Sequence, residues 1–280
     1  MPSAADLVIG ALRWVEYAGL ILFIGVFVVR RLAANSPRIV WARPPMERAL
    51  AAALVGGLGV VVAEALVAGH SLSGAVTFLF GDAAGWVRIF RVAAEGLALA
   101  LCLLGRRMVA PAAIFAAASL AFAGHAAAQG QPAGPIFADA LHVLSAGVWA
   151  GGIMAMATVR PPGGWNGEEG KGLLARFGRV ALIAFAITAM TGVLAATSAL
   201  GSPSDLWTTP YGLVLSVKSA GVVVMMVLSA LAWRRGLGLV RFEAGVAILV
   251  VAATAVLAAT PIPPFTIDEP MNPVAAHTRH

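Results

Sequence analysis

Five histidines are the residues of this chain best suited to hold a metal: His70, His125, His142, His277 and His280. Neutral imidazole is a ligand for copper, zinc and haem iron. His70 closes one apolar run, His125 closes another and His142 stands near the start of a third, so three imidazoles fall at one level on three candidate helices. One such histidine is ordinarily an interfacial residue; three at one level make a cluster. Asp139 lies one helical turn before His142, where a carboxylate orients an imidazole or completes a ligand shell. His277 and His280 form an HxxH spacing that reads most simply as part of a tail. The single cysteine, Cys102, excludes an internal disulfide and any CxxC pair. Met154, Met156, Met190, Met225 and Met226 carry thioethers that suit Cu(I), but methionine is also ordinary packing material, and packing is the simpler reading.

A second group consists of charges set inside apolar runs, each expensive in hydrocarbon and therefore informative: Arg13, Glu16, Glu64, Arg88, Arg91, Glu95 and Lys218. Arg13 and Glu16 are spaced i,i+3, Arg91 and Glu95 i,i+4, and Arg88 shares their face, so pairing along one helix is available. The bland reading is a set of interhelical ion pairs that fix packing. Lys218 has no acidic neighbour on its own run, and Glu16, Glu64 and Glu95 are its candidate partners by depth. At 1.5 Å per helical residue, Glu95 lies ~16 Å above Arg106, Glu16 ~21 Å above Arg30 and Lys218 ~24 Å above Arg234. The charges thus form a layer from the membrane centre outward, above an apolar inner half.

The elements that must carry these residues follow from composition. Of 280 residues, 60% are hydrophobic and 11% charged, and the mean hydropathy is +0.89. A soluble domain carries roughly 25% charged residues, so no water-facing surface can be built from this chain. About eight apolar stretches are long enough to cross ~30 Å of hydrocarbon: 7–29, 49–70, 86–104, 108–128, 136–159, 179–199, 211–233 and 243–260. The first lacks a basic leader and a cleavage site and is read as a retained helix. Arginine and lysine collect in alternate connections. They comprise Arg30, Arg31, Arg38, Arg43 and Arg48; Arg106 and Arg107; Arg160, Lys171, Arg176 and Arg179; and Arg234, Arg235 and Arg241. Connections 71–85, 129–135 and 200–210 carry none. This alternation predicts both ends outside. It also explains the pI near 10.7 without a nucleic-acid partner.

The expected fold is therefore all-α: a polytopic bundle of about eight transmembrane helices in the lipid bilayer. Residues 1–264 form one membrane domain, and 265–280 a periplasmic tail. Its halves, roughly 1–128 and 129–264, read as a parallel four-plus-four repeat. Gly85 precedes Arg91 and Gly212 precedes Lys218 by the same interval, and Leu12-Arg13 corresponds to Leu141-His142.

Gly124-His125 and the run Asp139-Ala-Leu-His142-Val-Leu-Ser-Ala-Gly147-Val-Trp149-Ala-Gly151-Gly152 resemble the signature of the bacterial copper resistance D (CopD) family. Arg176-Phe177 to Thr191-Gly192, Thr209-Pro-Tyr211-Gly212 with Lys218, and Arg241-Phe-Glu243 to Pro263-Pro264 extend the resemblance over essentially the whole chain. It implies a multi-pass protein of the bacterial inner membrane that takes periplasmic copper inward, a carrier and not an enzyme. It also implies a separate copper-binding CopC-like partner. His142, His125, His70 and Asp139 are the metal-site candidates. The same helix and the buried lysine also resemble haem-binding HemJ-type proteins, in which His142 and Lys218 would be the pair tied to haem b. The chain has no DKTG, CPC or P-loop motif, which excludes an ATP-driven pump.

Overall fold

The computed structural model describes residues 4–34, 36–69, 71–123, 133–235 and 239–260. Among these residues all regular structure is helical. The helices are α1 (Ala4–Ala34), α2 (Met46–Gly69), α3 (Leu72–Phe80), α4 (Ala83–Leu103) and α5 (Val109–Ser119, continued by a 3-10 turn, Leu120–Ala123). Next comes α6, which runs from Ala133–Ala146 through a π-helical turn, Gly147–Gly151, into Gly152–Ala157. The last four are α7 (Glu168–Ala199), α8 (Asp205–Thr208), α9 (Pro210–Arg235) and α10 (Val240–Ala259).

Among the described residues, six helices, α1, α2, α6, α7, α9 and α10, are long and apolar enough to cross a membrane. Helix α4 has the length, 21 residues, but carries Arg88, Arg91 and Glu95; α5 is shorter. The expected connection 71–85 contains a helix of its own. Ser71 accepts a hydrogen bond from the Gly74 amide at 3.1 Å and so starts α3, while Asp82 accepts from the Gly85 amide at 2.6 Å and starts α4. Side-chain caps of this kind satisfy amides that have no partner in the first turn. Gly105, at φ +64°, ends the α4 segment in the left-handed conformation glycine tolerates.

Helix α1 is the axis of the bundle. Its fully buried Leu20 and Phe23 pack with Ala49, Leu50 and Ala53 of α2, Ala94 and Ala98 of α4 and Ala113 and Ala117 of α5. Its opposite side, with Ile21, Val26 and Val29, packs against Trp149, Ile153 and Met156 of α6, Leu173 and Phe177 of α7 and Ala244 and Val251 of α10. One helix therefore divides two cores. The approach to α6 is close: a Cβ on Gly25 would sit 2.0 Å from the Gly151 carbonyl, and one on Gly151 2.0 Å from the Ile21 carbonyl. In a membrane, where lipid tails are as apolar as leucine, such small-residue contacts are a main source of helix association. Met154, Met156 and Met225 are buried packing residues, whereas Met190 and Met226 face outward. Helix α9 lies at the periphery, with Leu213, Val217, Val223 and Val227 exposed.

Candidate functional site

The charged residues of the first half gather where α1, α2 and α4 meet. Arg13 Nη2 donates to Glu64 Oε1, and Arg88 Nε donates to Glu64 Oε2 at 3.0 Å. The Arg88 guanidinium also stands 4.6 Å from the centre of the Phe78 ring, so α3 closes over this end of the cluster. Deeper in the bundle, Arg91 Nε lies 2.7 Å from Glu16 Oε1. Glu16, Arg91 and Glu95 are all buried, Glu95 completely. The Glu16 and Glu95 carboxyls meet each other beside Gly57, whose missing Cβ would fall 2.4 Å from Glu95 Oε2 and 3.2 Å from Glu16 Oε1. Of the two readings the spacing allowed, pairing along single helices and ion pairs between helices, the bridges follow the second. The i,i+3 and i,i+4 spacings set residues on a common face, and the bridges run across it.

The second region is a cavity of about 760 Å³ bounded by α1, α6, α7, α9 and α10. Most of its wall is apolar; Asp139, His142, Thr188, Tyr211 and Lys218 bring polar groups to it. Such a volume, mostly apolar with a few convergent polar groups, is typical of a ligand pocket. Its floor includes Trp149 in the π-turn, edge-on to Phe185 at 4.9 Å between ring centres. The His142 ring is held on one side. Its Nδ1 lies 3.0 Å from Thr191 Oγ1, and the Thr188 carbonyl also meets the ring. The Thr191 hydroxyl has its own acceptors, the Ile187 carbonyl at 2.7 Å and the Thr188 carbonyl at 3.2 Å. With its one proton directed there, Thr191 accepts from His142 Nδ1–H. In that tautomer the lone pair a ligand would use lies on Nε2. Gly192 makes room for the ring, since a Cβ there would be 3.2 Å from His142 Cε1. Ser145, beneath His142 on the same helix, donates to the His142 carbonyl at 3.1 Å and lies 2.8 Å from Thr188 Oγ1.

Lys218 projects from α9 into this cavity, and its electrostatic partner is Asp139 on α6. The candidates by depth are otherwise engaged: Glu64 pairs with Arg13 and Arg88, and Glu16 with Arg91 and Glu95. Depth alone could not see that α9 packs on the far side of α1 from α2 and α4. Of the four metal-site candidates, Asp139 and His142 share the cavity wall. His70 and His125 lie outside the described residues, as do His277 and His280. Among the described residues no group of three or more His, Cys, Asp or Glu side chains could hold a metal ion.

Sequence reading passed over several contributors. Thr191 and Gly192 stood in a quoted motif without a role, and their hydroxyl and missing side chain now explain how His142 is set. Gly57 belongs to a Gly56-Gly57 pair inside an apolar helix, a visible sign of close approach. Tyr17 lines the cavity one residue after Glu16, so neighbouring residues of α1 serve the two regions. Glu243 likewise stood in the Arg241-Phe-Glu243 stretch without a role. It is buried and accepts a hydrogen bond from Ser229 Oγ at 3.0 Å, which ties the last turns of α9 to the first turn of α10.

Comparison with known proteins gives one informative likeness. The chain is 33% identical over 165 residues to the copper transport protein CutJ of Bacillus subtilis (strain 168), in a match that takes in 54% of this chain and 30% of that protein. The chain thus spans less than a third of that relative's length. No family model matches the chain, and no solved structure matches it.

Proposed function

We propose that this chain binds copper near the outer ends of its helices and carries it across the bacterial inner membrane. The observation that bears most weight is His142. It is an imidazole on a cavity wall, with its Nδ1 held at Thr191 and Asp139 one turn away on the same helix. That is the preparation a metal-ligating histidine needs. The likeness to a copper transport protein supports the same cargo. His125 and His70 supply the remaining ligands in this reading, and Asp139 orients them or completes the set. The bundle has eight crossings, with α4 and α5 spanning beside the six longer helices, both ends outside and the arginine-rich connections inside. Copper reaches it from a separate CopC-like protein, and the chain performs transport without catalysis.

The experiment is metal analysis and optical spectroscopy of the purified protein, wild type against His142→Ala, His125→Ala and His70→Ala. A colourless wild type retaining stoichiometric copper, lost in His142→Ala, supports the reading. Full copper retention in His142→Ala would misplace the site. The haem b alternative draws on one feature, that His142 and Lys218 line the same largely apolar cavity; the likeness to CutJ lends it no support. It would announce itself as an iron-containing Soret band that disappears in His142→Ala and Lys218→Met. Reporter fusions test the topology: positions Asn35, Gly164 and Gly236 are expected inside, Gly81, Pro132, Ser204 and Asn272 outside. One firm reversal would break the eight-helix map.

A further inference from the structure

The six charged residues between α1, α2 and α4 cancel formally, three arginines against three glutamates, but their pairing is uneven. Arg13 and Arg88 both attach to Glu64, at the more exposed end of the cluster. Arg91 is left to face two buried carboxyls, Glu16 and Glu95. Among the described residues no donor lies within hydrogen-bonding geometry of either oxygen of Glu95, which is 0% exposed. The carboxyl it adjoins is that of Glu16, and two carboxyls hydrogen-bond only when one of them carries a proton. Two carboxylates sharing a low-dielectric site cannot both ionise without a large penalty.

We propose that Glu16 and Glu95 form a proton-binding site, a carboxyl–carboxylate pair that holds one proton between α1 and α4 with Arg91 balancing the remaining charge. A metal or alkali cation fits this place poorly. The Arg91 guanidinium already occupies the cation position beside Glu16, and the α2 backbone at Gly57 comes too close to the carboxyls to leave room for an ion with its ligands. A proton needs no volume. The groups facing the pair are Arg13 and Tyr17 from α1, Glu64 from α2 and Arg91 from α4, with Arg88 bonded to Glu64 behind them; α5, packed alongside, contains no ionisable residue. Tyr17 also lines the large cavity, so the charge state of the pair is felt at the wall where His142 stands. The proposal does not depend on copper being the cargo.

Infrared spectroscopy of the full chain, purified without added metal and labelled with ¹³C at the glutamate side-chain carboxyls, tests it. The wild type at neutral pH should show the carbonyl stretch of a protonated carboxylic acid, shifted by the label and by exchange into D₂O. Glu95→Gln and Glu16→Gln should each abolish that band, because a lone remaining carboxylate pairs with Arg91. Glu243→Gln, which removes the buried carboxyl outside this cluster, should leave it intact. Absence of a label-sensitive band in the wild type would overturn the proposal and requires no variant to fold. So would a band that survives in full in Glu95→Gln, or one lost in Glu243→Gln. Copper retention in the same preparations reports separately on the transport reading.

Discussion

The two polar regions of this bundle lie on opposite sides of α1 and are built on different principles. Between α1, α2 and α4 the charges are packed against each other and against glycine, with no space left over. Between α6, α7, α9 and α10 a histidine, a lysine and an aspartate stand at the wall of an apolar cavity of about 760 Å³. The first arrangement resembles a structural ion cluster, in which removing one partner strands another. In the second, the polar groups stand beside open volume, which is what a ligand requires. Similar residue types at similar depths thus serve different ends, and the difference is whether neighbouring backbone fills the space between them.

The largest effect should come from breaking the closed region. Arg91→Leu leaves Glu16 and Glu95 facing each other without a cation, and losing one partner of a buried pair is expected to destabilise by about 3–5 kcal/mol. Thermal unfolding in detergent should show a large drop, whereas Lys218→Met in the open region should cause a small one. Equal responses would erase the contrast. Next comes the junction between the regions. Gly25→Val drives a side chain into the Gly151 carbonyl, for an overpacking penalty of about 1–3 kcal/mol. It should also displace the π-turn that carries Trp149, which the fluorescence of that indole against a Trp149→Phe reference would register.

A smaller stability effect and a larger functional one are expected at Thr191. Thr191→Val removes the acceptor of His142 Nδ1–H and costs about 1 kcal/mol of stability. Losing the partner that sets the ring should weaken copper binding about 10–100-fold, measured by competition with a chelator; unchanged affinity would mean the ring needs no such partner. The smallest effect lies outside the bundle. Asp205 accepts hydrogen bonds from the Gly201 and Ser202 amides, each at 2.9 Å, and from Ser202 Oγ at 3.0 Å. The Ser202 amide first, and then the other donors, hold its carboxyl below the usual carboxylate range. A depressed folded value means that the loop's stabilisation is complete above that range and is lost as the pH falls through the folded value. Amide shifts of Gly201 and Ser202 followed through an acid titration should move together in the wild type and stay flat in Asp205→Asn.

Composition and the placement of arginine were enough to read an all-helical, membrane-embedded chain, because those signals are local: a 20-residue apolar run has to be a helix in lipid. That His142 and Asp139 would face the same space was legible for the same reason, since they stand one turn apart on one helix. The residues that set the His142 tautomer come from α7, some fifty positions later, and no spacing rule links them. The partners of the intramembrane charges were open in the same way. Depth along each helix was available from the linear order, but rotation about each helix axis and the choice of neighbours were not. Lys218 found Asp139 and not a glutamate of the first half because α1, with glycines at its contacts with α2 and α6, stands between them. Tertiary packing alone decided which charges were sealed and which were left beside open space. Side-chain type sets what a residue can bind, and the distance between backbones sets whether room remains for it to do so.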